Sequence, residues 1–141
     1  MLLLIKIGKR CLLCVLLMIV AGLASCKETR YRLNEVSAQS SLRLIRKAET
    51  IYRSQDQQHR FGTLQELHAS GLIDADLASG TKAGYRYDLR AGKDSFTAIA
   101  TPLDYDVTGS WSYYLDELGI IRANITKGRP ANINDAPIKD Q

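Results

Sequence analysis

Cysteine is confined to the start of this chain. Cys11, Cys14 and Cys26 are the only three among 141 residues, so whatever folds after Cys26 does so without a disulfide. Histidine is as scarce. His59 and His68 stand nine apart, no His-x-x-x-His spacing exists, and both read as surface residues rather than metal ligands. Serine is plentiful, yet Ser37, Ser40, Ser41, Ser54, Ser70 and Ser79 never fall in G-x-S-x-G. No internal repeat is visible. With no nucleophile, base and oxyanion site to name together, the sequence points to a protein that is not an enzyme.

What is present begins with a leader. Lys6, Lys9 and Arg10 form a basic patch, and an uncharged apolar run from Cys11 to Gly22 follows. Small residues then lead to Cys26. A basic start, a short apolar run and a small-residue site make a secretory signal peptide over residues 1–25. The alternative is a retained transmembrane helix. Such a helix needs about 20 apolar residues, and here the uncharged stretch stops at Ser25, before Lys27, Glu28 and Arg30. Cys11 and Cys14 form a C-x-x-C inside the apolar run and would leave with it.

Leu23-Ala24-Ser25-Cys26 resembles the lipobox of bacterial lipoproteins, in which a Leu and two small residues precede the lipidated Cys. The other reading is an ordinary signal peptide with a chance Cys. The resemblance implies a covalent lipid on the Cys26 thiol, cleavage to make Cys26 the N-terminus, and acyl chains holding the protein in a membrane. Lys27 in place of Asp at the next position implies sorting to an outer membrane, if the host has one.

Removing residues 1–25 takes three of the 19 basic residues and none of the 15 acidic ones, leaving a net charge of +1. The basicity of the whole chain therefore belongs largely to the leader and gives no support for a nucleic-acid partner.

In the mature chain, Leu33 to Arg53 has helical spacing. Ser37, Ser41, Leu44, Ile45, Ala48, Ile51 and Tyr52 share one face, while Arg43, Arg46, Lys47, Glu49 and Arg53 lie elsewhere. Val36 and Leu42 fall off this stripe and are expected to be exposed or to meet a partner. Residues 54–62 are polar loop. Thr63-Leu64-Gln65-Glu66 is a capping-box pattern for a short helix from Leu64 to Ala69, and Asp74 suits the N-cap of another turn.

Four strands are expected next: Gly84 to Arg90, Ser95 to Thr101, Trp111 to Leu115 and Ile120 to Asn124, with Gly119 at positive φ in the last turn. A long helix before an antiparallel meander makes an α+β domain over 26–124. Residues 125–141, with two prolines and little apolar pattern, are expected to be a flexible tail.

This order of elements, with the stretches 34–52, 67–87 and 108–124, resembles the globular head of type IV pilins and of major pseudopilins in type II secretion. The resemblance implies a long amphipathic helix packed on a four-stranded meander. It implies a role through protein–protein contacts, accessory to a pilus or secretion system. The chain departs from a prepilin, because Gly8 is followed by Lys9, Leu13 stands where such proteins carry Glu, and the long apolar stem is missing.

Major pseudopilins bind calcium in a loop at the end of the sheet. The resemblance therefore makes Asp104 and Asp106, with Asp116 nearby, a partial calcium site, the alternative being ordinary loop acids. No other cofactor is implied. Trp111 and Tyr114, three positions apart, should lie on opposite faces of a strand, leaving an aromatic open to a partner. A sugar- or peptide-binding face there is the rival function. A concave pocket beside Trp111 or Tyr114 would favour it.

Overall fold

The computed structural model describes residues 30–125 and 127–138. Cys26 and the leader lie outside them. Two compact units divide the chain, Met1–Arg30 and Tyr31–Gln141, and the second is an α+β domain. No helix among the described residues is long and apolar enough to cross a membrane.

Residues 30–55 are helical (α1). No Gly or Pro interrupts them, and apolar residues recur at helical spacing. The buried stripe is Ala38, Ser41, Leu42, Ile45, Ala48 and Glu49. It is rotated from the expected one: Ser37, Leu44, Ile51 and Tyr52 are only half-buried. Leu42 is a correction. It is fully buried, so it is unavailable to a partner. Its reach brings it into the core beside Ile45, where a smaller residue would leave a void. Val36 stands 60% exposed, as the pattern suggests.

Two short helices follow, and their caps set their limits. Thr63 and Glu66 form a complete capping box ahead of α2 (Leu64–Ala69), and the Asp74 side chain accepts the Leu77 N–H ahead of α3 (Ala75–Ala78). Arg60 pairs with Glu66 at 2.8 Å. That guanidinium and the Thr63 N–H hold the Glu66 carboxyl at about 2, well below the usual range.

The sheet has six antiparallel strands in sequential order, not four: β1 (Thr81–Lys82), β2 (Tyr85–Ala91), β3 (Phe96–Pro102), β4 (Ser112–Asp116), β5 (Arg122–Asn124) and β6 (Ala136–Pro137). The expected four are β2 to β5, with ends shifted by a residue or two. The two additions are edge strands of two residues each, too short for alternation to mark them. β1 turns into β2 through Ala83 and Gly84, both at positive φ, as a tight hairpin demands. A Cβ on Gly84 would also meet Thr108 and the Asn34 side chain. β6 lies in the tail expected to lack regular structure: Ile138 N–H donates to the Ile121 carbonyl, and Ala131 is buried.

Inward residues alternate along the strands. Tyr85 and Tyr87 on β2, Phe96, Ala98 and Ala100 on β3, and Tyr113 and Leu115 on β4 join the α1 stripe, Leu64, Leu67, Leu77 and Phe61 in one core. The sheet's α1 side is thus apolar, with small residues on the middle strand β3 giving room to the tyrosines on either side.

Leu42→Ala is expected to cost about 2–5 kcal/mol through lost burial and the cavity left behind. Val36→Ala, at an exposed site, should stay within about 0.5 kcal/mol. Urea denaturation of both variants checks the contrast, and near-equal midpoints would contradict this assignment of the buried face.

Candidate functional site

The connection from β3 to β4 is built against the first described turns of α1. The Asn34 side chain donates to the Thr108 carbonyl at 2.9 Å, and Glu35 Oε1 accepts the Ser110 N–H at 3.0 Å. From the other side, the Tyr85 hydroxyl donates to the Trp111 carbonyl at 2.9 Å. Gly109 has no Cβ to fill the space that this hydroxyl occupies. One residue into β4, the Tyr113 hydroxyl accepts from the Gln39 amide at 3.3 Å, and burial pushes its pKa up to about 12.

These bonds fix Trp111 at the wall of an open groove of about 840 Å³ between α1 and the β5–β6 side of the sheet. Arg32, Val36, Gln39 and Arg43 form its helical wall. Tyr113 and Ala123 form the floor, and Pro137 and Ile138 the far side. The lining is part apolar and part charged, with Arg32 and Arg43 cationic and Glu35 anionic. The lining residues place no nucleophile against a base, and the groove's shape suits reception of a ligand or chain segment.

The residues singled out from sequence separate accordingly. Trp111, 38% exposed, and Val36 share this groove. Leu42 lies beneath α1 in the core. Tyr114 is half-buried on the opposite sheet face, opposite Ile99 on β3 and Arg122 on β5, so the two aromatics do not form one surface. Asp104 and Asp106 lie in the exposed β3–β4 connection. Asp104 closes a turn through its carbonyl, which accepts from the Val107 and Thr108 N–H groups, and Asp106 has φ of 61°. Among the described residues, no group of three or more His, Cys, Asp or Glu is placed to hold a metal ion. His59 and His68 are set apart, with Nδ1 atoms 3.3 Å from the Arg53 carbonyl and 3.0 Å from the Ile73 carbonyl. Cys26 lies outside the described residues.

One buried polar residue escaped the sequence reading. Glu49 falls on the expected polar side of α1, yet it is fully buried. Its Oε2 accepts the Gly62 N–H at 2.8 Å, tying the loop after α1 to mid-helix, while Oε1 has no hydrogen-bond partner among the described residues. Burial raises the carboxyl to about 7. The Gly62 N–H opposes this rise, and the nearby Glu66 charge adds to it. The partner sits 13 positions away, so helical periodicity alone carries no sign of it. A Cβ on Gly62 would come within 3.0 Å of the Tyr52 ring, tighter than an ordinary contact.

No family model, curated protein or solved structure matches this chain.

Glu49 gives a signed pH effect. Its folded pKa lies above the ordinary carboxylate value of 4.5, so its stabilising contribution is complete below about 4.5 and is lost as pH rises through about 7. Glu66 acts in the other direction and lower, its contribution being lost as pH falls toward about 2. Urea midpoints measured between these Glu49 limits should fall with rising pH. Glu49→Gln, which keeps an acceptor for Gly62, should flatten that fall. An unchanged slope in the variant would contradict the assignment.

Proposed function

We propose that this chain is a non-catalytic lipoprotein of the cell envelope, anchored through a lipid on Cys26. Its pilin-like head acts by contact with envelope proteins, as an accessory to a type IV pilus or type II secretion system. The observation that carries the contact role is the groove beside α1, which runs on from Val36 and Trp111 between Gln39 and Arg43 on the helix and Tyr113, Ala123 and Pro137 on the sheet. A preformed cleft with apolar and charged walls suits a partner's segment. The order of a long helix, two short helices and an antiparallel meander supports the pilin-like reading.

A second reading is favoured by the groove's size. About 840 Å³ beside a tryptophan lies within the usual range for small-ligand sites, so a sugar or peptide is the rival occupant. Asp104 and Asp106 remain as a calcium proposal only, lacking a third acidic ligand beside them among the described residues.

A photo-crosslinking residue at position 43 or 114, introduced in living cells, separates these readings. The contact role expects adducts to pilus or secretion components from position 43 and none from position 114. No protein adduct at position 43, together with saturable quenching of Trp111 emission by a sugar or peptide, would replace the leading reading with the rival one.

A further inference from the structure

Six of the nine exposed large apolar side chains among the described residues lie together, the other three being Leu118, Ile120 and Ile133. Leu33 and Val36 project from the first described turns of α1. Leu103, Val107 and Trp111 belong to or adjoin the β3–β4 connection that Asn34 and Glu35 bind to those turns. Ile125 follows Asn124, which pairs with Ser112 next to Trp111. All six therefore crowd one end of the domain. Leu118 and Ile120 lie instead in the β4–β5 turn, at the other end of β4. A concentration of open apolar groups marks a surface that meets something other than water.

The chain itself says what lies nearest. Cys26 is four residues before Arg30, and four extended residues reach at most roughly 14 Å. A lipid on Cys26 would keep this end within that distance of the bilayer. The charges here are of both signs. Arg30 and Arg32 stand on α1 and Lys127 in the segment beside Tyr105, against Asp104 and Asp106 in the connection. Such a mixture has little net field with which to seek an anionic surface. Trp111, with an apolar body and a polar N–H, is suited to the headgroup layer.

We propose that the end of the domain formed by Leu33, Val36, Leu103, Val107, Trp111 and Ile125 rests in the headgroup layer of the bilayer that holds the Cys26 lipid, by apolar insertion rather than by charge. The contact fixes the head's orientation, turning the rest of the α1 groove, beyond Trp111, sideways along the membrane. This inference goes beyond the protein-contact reading and rests on its lipid anchor.

Trp111 is the only tryptophan in the chain, so its emission reports this end alone. The test uses purified, lipidated protein floated with phosphatidylcholine vesicles whose acyl chains carry bromine at shallow or deep positions. Shallow bromine should quench Trp111 strongly and deep bromine weakly, with emission shifted to the blue. Adding phosphatidylglycerol or salt should leave the quenching unchanged. Leu103→Glu with Val107→Glu, both exposed, should still float but lose the quenching.

Protein that floats while Trp111 stays unquenched by bromine overturns the inference and leaves the anchor standing, whether Trp111 is open to iodide or shielded by another protein. Quenching that appears only with phosphatidylglycerol overturns it in favour of charge. Protein that fails to float overturns the anchor and this inference together.

Discussion

The burial of one α1 stripe against one sheet face governs the rest of this domain. Ala38, Ser41, Leu42, Ile45 and Ala48 meet a surface of tyrosines on β2 and β4 flanking alanines on β3. Large side chains set beside small ones let a helix and a twisted sheet approach without voids. The stripe also decides what is left outside. With the helix seated along it, Arg32, Val36, Gln39 and Arg43 wall a groove. A change in that packing would move the groove, the Trp111 wall and the Glu49 carboxyl together.

The strongest local signals were legible in the sequence because each is a short-range physical rule. Thr63 with Glu66 announces a helix start through mutual hydrogen bonds, and Asp74 does the same for α3. Tyr85, Tyr87 and Leu89 alternate with charged residues, and β2 forms there with the expected inward face. Gly119 takes φ of 80° in its turn, where the Arg46 guanidinium also occupies the place of a Cβ.

The errors have long-range causes. Leu42 falls off a stripe that includes Leu44 and Ile51, and the direction of helix docking that buries it is a tertiary fact. Glu49 is buried because a loop N–H 13 residues on requires an acceptor there. β1 and β6 exist by pairing with stronger neighbours rather than by their own pattern. The groove was foreshadowed only in part. Val36 and Trp111 were singled out one at a time, and nothing in their spacing joins two residues 75 apart in the chain.

Anchor, groove and membrane-facing end form one proposed scheme in which a short tether places a rigid head at a bilayer and leaves its flank open to partners. Everything in that scheme requires that the thiol of Cys26 be acylated and the leader removed. Intact-mass measurement of the protein extracted from its native membranes bears on this most directly. A species beginning at Cys26 with the added mass of acyl chains is expected. A species that still begins at Met1, or one with an unmodified Cys26 sulfur, would contradict it.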